Sequence, residues 1–175
     1  NFVATGNTYN GLDVLNAYYP LLKQASIDVQ ATLGPWLLKL EAIESEVDDV
    51  TTSRATGGFE YTFYNLFNSG TDVGLVSEYM WDENELDAAH PFGNDIGVGL
   101  RWTANDTQST AILVGALVDL DSDSTAYSVE AERRLGQNFK LILEARVQDK
   151  VGDNDLPANL NADEDFLRLR LNWYF

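Results

Sequence analysis

The chain has one histidine, His90, in the stretch DAAHPFGND, with Glu85, Asp87 and Asp95 near it in sequence. An imidazole beside carboxylates is what general-base chemistry needs, since the carboxylate orients the ring and the ring takes the proton. The rest of such a site is missing. No nucleophile–base pair, no Gly-rich phosphate loop after a strand and no ligand cluster with metal spacing is visible. Pro91 follows His90 directly and marks a simple turn. The expectation is therefore no catalytic residue and no enzyme. Carboxylates also crowd residues 44–49, 82–87, 119–123 and 149–165. The stretch VGDNDLPANLNADED lacks the Asp/Asn/Gly spacing and terminal Glu of a calcium loop. These segments read as solvated, mutually repelling loops, with no metal and no cofactor expected.

The other charges are spaced differently. They alternate with apolar residues, as in FLRLRLNWYF at the end of the chain. On one set of alternate positions stand Lys39, Glu41, Glu60, Glu78, Asp95, Arg101, Glu130, Glu132, Lys140, Glu144, Arg146, Arg168 and Arg170. Charges in such a row do no covalent chemistry, but they can pair, or they can line a passage and select ions. The turn at 135–138 places Glu132 across from Lys140, and the last two strands bring Glu144 and Arg146 near Arg168 and Arg170.

What must position these side chains is a set of β-strands. Period-two alternation runs over residues 26–33, 36–44, 55–67, 72–81, 95–103, 109–120, 125–134, 139–151 and 166–175. The connections alternate in length. Those at 34–35, 68–71, 104–108 and 135–138 are tight. Those at 45–54, 82–94 and 152–164 are longer, with 121–124 the short exception. Residues 1–24 do not fit the ladder, and 11–22 reads as a packed loop, a short helix ending near Pro20, or part of a further strand. The expected division is thus an N-terminal segment, 1–24, and barrel strands over 25–175.

Totals bound the alternatives. At 175 residues the chain is one domain or part of one. Its 28 acidic against 11 basic residues and net charge of −17 argue against nucleic acid as a partner. No apolar run approaches the roughly 20 residues of a membrane helix, but a membrane strand needs only about 9–11. The chain lacks Cys, which rules out disulfides. It opens on Asn1, which is read as a removed leader or as part of something longer.

Each strand has an apolar face, and two arrangements satisfy that. A soluble barrel or sandwich turns the face inward, and a membrane barrel turns it to lipid. The aromatic residues favour the second. Trp36, Phe63, Phe67, Trp102, Phe139, Trp173 and Phe175 stand beside the tight turns or at the chain end, and Tyr79, Trp81 and Tyr127 beside the longer connections. Leu, Val, Ile and Ala fill the middles. Amphipathic rings flanking an aliphatic band are the mark of a lipid-facing wall, whereas a soluble core places large rings at its centre.

The terminal pattern Leu167-x-Leu169-x-Leu171-x-Trp173-x-Phe175 resembles the last strand of Gram-negative outer-membrane β-barrel proteins. That resemblance implies an antiparallel up-and-down transmembrane β-barrel whose C-terminal strand is read by the barrel-assembly machinery. It also implies a periplasmic C-terminus, lipid and lipopolysaccharide against the outer wall, and a girdle of Trp36, Phe63, Trp81, Trp102, Phe139, Trp173 and Phe175. Nine strands is an odd number where single-chain bacterial barrels use even ones, so further barrel chain is an expected partner. The function this implies is a porin-like channel for passive diffusion of small polar solutes, with the charged face as its lumen. The rivals are a narrow closed barrel serving as an anchor or scaffold, an outer-membrane hydrolase using His90, and a soluble ligand-binding barrel.

Overall fold

The chain is all-β. The computed structural model describes residues 20–83, 93–152 and 165–175, and the backbone of 2–9 and 12–17. Two strands, β1 (Phe2–Tyr9) and β2 (Leu12–Ala17), pair antiparallel as a separate two-stranded sheet. The alternative of a short helix over 11–22 is thus replaced by strand where that segment is described. Nine further strands follow: β3 (Leu22–Leu33), β4 (Trp36–Val47), β5 (Val50–Phe63), β6 (Asp72–Asp82), β7 (Asn94–Thr103), β8 (Ala111–Asp119), β9 (Thr125–Leu135), β10 (Phe139–Lys150) and β11 (Phe166–Trp173). They form one antiparallel sheet in chain order, each strand bonded to its neighbours in sequence. The sheet is open. β3 and β11 are its edges, and with nine strands they run in the same direction.

Register puts the two sequence patterns on opposite faces, because residues directly paired across strands point to the same side. One row reads Leu33, Trp36, Tyr61, Leu75, Leu100, Val114, Val129, Ala145 and Leu167, apolar from edge to edge. The neighbouring row on the other face runs through Thr62, Gly74, Arg101, Leu113, Glu130, Glu144 and Arg168.

The rows also climb. Leu33 and Trp36 flank the β3–β4 turn, yet on β9 and β10 the same row passes Val129 and Ala145, six residues short of the turn flanked by Leu135 and Phe139. Six strands separate the two hairpins, so the stagger averages about one residue per strand. With a rise of about 3.3 Å and a spacing of about 4.8 Å, turns held at one level imply a tilt of about 35°. Closed barrels tilt their strands by about 35–45°.

Three features depart from the expected elements. The acidic segment 45–54 is not a loop: β4 and β5 run through it and meet at Asp48–Asp49, both with positive φ (52° and 63°). Two successive left-handed residues make the hairpin turn whose twist matches the strands. Asp tolerates that conformation, and Val47 and Val50 close the ladder on either side. The β5–β6 connection is longer than expected, residues 64–71. Phe67 leaves the strand for a short 3-10 turn, Leu66–Asn68, where it has φ 54° and is exposed. Asn65 Oδ1 accepts from the Gly70 amide (2.9 Å) and Asp72 Oδ1 from the Asn65 amide (2.7 Å), which pins this turn. Finally, Tyr61, two residues inside β5 from its end at Phe63, joins the aromatic rim. It pairs directly with Trp36, and their ring centroids lie 4.7 Å apart at the rim.

The β7–β8 turn depends on one carboxylate. Asp106 accepts from the Thr110 amide (2.8 Å) and hydroxyl (2.7 Å), and these bonds hold its pKa below the ordinary Asp value. The folded pKa is therefore below the unfolded one, and the bonds stabilise the turn at neutral pH. That contribution fades as pH falls through the unfolded value of about 3.8 and is gone below the folded one. Amide exchange at Thr110 is expected to quicken over this acid window in the native protein. In Asp106→Asn it should show no such window, and an identical profile in both proteins would remove Asp106 as the cause.

Packing is the anomaly of this fold. Among the described residues no apolar side chain is buried, and the buried side chains are polar: Ser45, Asp82, Asp95 and Ser124. The chain exposes 12276 Å², where a compact domain of 19.5 kDa exposes about 8,500 Å². A sheet with one apolar face must cover it with a second layer, and no second layer of the described residues does so. No helix among them is long and apolar enough to cross a membrane, which does not bear on strands.

Candidate functional site

The polar face of β3–β11 carries the chain's organised charge. All thirteen charged residues singled out above lie on it by register, from Lys39 and Glu41 on β4 to Arg168 and Arg170 on β11. The apolar face carries Trp36, Phe63, Trp81, Trp102, Phe139 and Trp173, with Phe175 just beyond β11. His90, Glu85 and Asp87 lie outside the described residues.

Charge on this face is arranged in local pairs. Arg101 reaches from β7 across β6 to Glu60 on β5, bonding both carboxylate oxygens (2.8 and 2.9 Å). It can do so because Gly74 stands between them: a Cβ there would lie 3.0 Å from Glu60 Oε1 and 3.7 Å from Arg101 Cβ. Both bonds come from one guanidinium nitrogen, Nη1, and charge-assisted bonds of this kind are shorter and stronger than neutral ones. Arg54 and Asp82 face each other on β5 and β6 at 3.8 Å. Lys140 bonds Glu132 (2.8 Å), and Glu144 is shared by Arg168 (3.0 Å) and Arg170 (3.8 Å).

The pairing expected from the β9–β10 turn is thereby refined. Lys140 lies directly opposite Arg134, and Glu132 is its diagonal neighbour. The ion pair therefore forms along the diagonal, two residues from the like charge directly opposite. Like-charged residues also face each other directly at Asp28 and Glu41, at Asp95 and Asp119, and at Glu130 and Glu144. Direct like-charge pairs are unfavourable on a dry sheet. At Asp95 and Asp119 backbone amides satisfy the carboxylates, and the more exposed pairs, Asp28–Glu41 and Glu130–Glu144, argue for a face that keeps contact with water or counterions there.

The buried strand side chains, Ser45, Asp82 and Asp95, are on the polar face, whose arginines (Arg101, Arg168 and Arg170) are 45–55% exposed. The Glu60 side chain is 13% exposed, and Leu100, on the other face two strands away, is 50% exposed. Asp95 is 4% exposed and accepts from the Gly93 amide (2.8 Å). Close backbone approach contributes to this enclosure. At Gly58 an added Cβ would meet the Ser77 carbonyl oxygen at 2.5 Å, a contact no side chain can make. Glycines at such points let strands bend.

No protein family, curated protein or solved structure matches the chain. The face must be read from its own chemistry. Among the described residues no three of His, Cys, Asp and Glu gather to hold a metal ion. What the arrangement can do is present fixed charge of both signs to water.

Three polar-face residues escaped sequence reading. Arg54 and Thr52 sit in the segment mistaken for a loop, and a turn at Asp48–Asp49 would have exposed their alternation with Thr56, Gly58 and Glu60. Arg134 continues the series Glu130, Glu132 in plain sight but borders the turn.

Proposed function

We propose that this chain forms wall of an outer-membrane β-barrel of a Gram-negative bacterium, a porin-like channel through which small polar solutes diffuse passively. The observation that carries the reading is the inversion of the sheet. Its continuous apolar face is uncovered, and its charged face holds the enclosed side chains. Lipid is the layer that a one-sheet protein with an apolar outer face needs. Dimensions agree. The nine residues of β8, tilted by about 35°, rise about 24 Å, close to the roughly 25 Å apolar band of such barrels.

In this reading the polar face lines the lumen, and its Arg, Lys, Glu and Asp set selectivity. The aromatic rims sit at the two interfaces, and lipid and lipopolysaccharide contact the outer wall. The connections at 34–35, 64–71, 104–110 and 136–138 and the C-terminus are periplasmic, the Asp48–Asp49 turn is at the opposite rim, and β11, ending in Trp173 with Phe175 just beyond it, engages the barrel-assembly machinery. Antiparallel closure calls for further barrel chain, because β3 and β11 run in the same direction. An odd number of added strands joins them.

The test is reconstitution of the full-length protein in planar bilayers. Stepwise conductance is expected. The rival, a narrow barrel plugged by its own ion pairs and acting as an anchor, predicts insertion without steps. Brominated lipid that quenches Trp fluorescence while no conductance appears would decide for the anchor.

A further inference from the structure

We infer that the polar face of β9–β11 is an anion track, a ladder of cations that carries small phosphates and carboxylates along the wall. The inference rests on the channel reading above and names the solute class. Its basis is a sorting of charge. Seven of the chain's 11 Lys and Arg residues fall in β9–β11. On the polar face of these strands five cations, Arg134, Lys140, Arg146, Arg168 and Arg170, stand among three carboxylates. The same face of β3–β8 carries three cations, Lys39, Arg54 and Arg101, among more than twice as many carboxylates. Five of the 11 basic residues of a protein of net charge −17 thus share one strip of one face.

The strip is graded along the strands. Four successive polar-face rows hold a cation: Arg146, then Arg168, then Arg170, then Lys140 with Arg134. Rows lie two residues apart, so the steps are about 7 Å and the ladder about 20 Å long. Neutralisation is incomplete. One carboxylate, Glu144, serves both Arg168 and Arg170. Arg134 and Arg146 make no ion pair among the described residues. Arg146 lies 6.0 Å from the Phe166 ring centroid, and Arg168, beside its bond to Glu144, lies 5.3 Å from it, a contact that holds a guanidinium without cancelling its charge. Guanidinium forks fit carboxylate and phosphate oxygens. Closely spaced weak sites let an ion enter and leave by passing between neighbours.

The experiment is the reversal potential of the full-length protein in planar bilayers under a KCl gradient, followed by addition of potassium phosphate. Arg168→Gln/Arg170→Gln is compared with wild type and with Lys23→Gln, a charge removed at the rim on the other face. The double variant is expected to lower chloride-over-potassium permeability by about threefold or more and to weaken phosphate block, with Lys23→Gln unchanged. A conducting pore whose selectivity and phosphate block ignore the double change overturns the track and leaves the channel standing. Inserted protein with no conductance overturns both. Should the double variant not assemble, Arg146→Gln carries the same expectation.

Discussion

Arg in place of Val114 is expected to destabilise the protein in a bilayer by about 2–4 kcal/mol, and Arg in place of Leu113, one residue earlier, is expected to cost far less. Val114 is in the middle of β8 on the apolar face, with Leu100 and Val129 directly beside it, and it is uncovered. In the proposed barrel that position is at the membrane midplane and offers a guanidinium neither water nor a partner. Leu113 is on the polar face between Arg101 and Glu130. Arg101 is already engaged by Glu60, and Glu130 has no ion pair among the described residues. A new cation at position 113 therefore meets an available carboxylate and water. Urea unfolding of the protein in lipid vesicles measures both changes. Equal costs at the two positions would mean that the apolar face does not meet lipid. A soluble core would also reject Arg at Val114, so the wild type is refolded without vesicles in parallel. Lipid-independent folding would favour the soluble barrel.

How much of this was legible in the sequence follows from which interactions are local. Alternation is a property of consecutive residues, so the strands and their two faces could be read directly, from Trp36 to Trp173. A turn is also local, yet Asp48–Asp49 was missed because two acidic residues signal charge before they signal a left-handed backbone. Phe67 was misplaced for the opposite reason. Its apolar character continues the alternation of Phe59, Tyr61 and Phe63, whereas the backbone has already turned. Register is non-local, and sequence spacing set Lys140 opposite Glu132 where the structure sets it opposite Arg134. The stagger, the close approach at Gly58 and the bridge from Arg101 to Glu60 over Gly74 join separate strands. No single strand's pattern records them. Which face is the more enclosed is a property of the whole sheet.

Removing Phe175 is expected to leave the stability of the folded barrel nearly unchanged and to reduce its assembly in cells severely. Phe175 follows the last strand and is fully exposed, and its ring contact is with Trp173, at 5.6 Å between centroids. An exposed ring with one neighbour contributes little to folding, and surface changes of this kind usually stay within about 0.5 kcal/mol. Trp173 is different, because it stacks on Phe139 across the final strand pair (6.5 Å). The two residues therefore separate two roles that the terminal pattern combines. If β11 is read by the assembly machinery, deletion of Phe175 lowers the amount of heat-modifiable, membrane-inserted protein, while refolding into vesicles proceeds as in the wild type. Trp173→Ala is expected to weaken both. Undiminished insertion of the Phe175 deletion in cells would sever the terminal strand from the assembly role that its pattern implies. The inverted sheet would then carry the membrane reading alone.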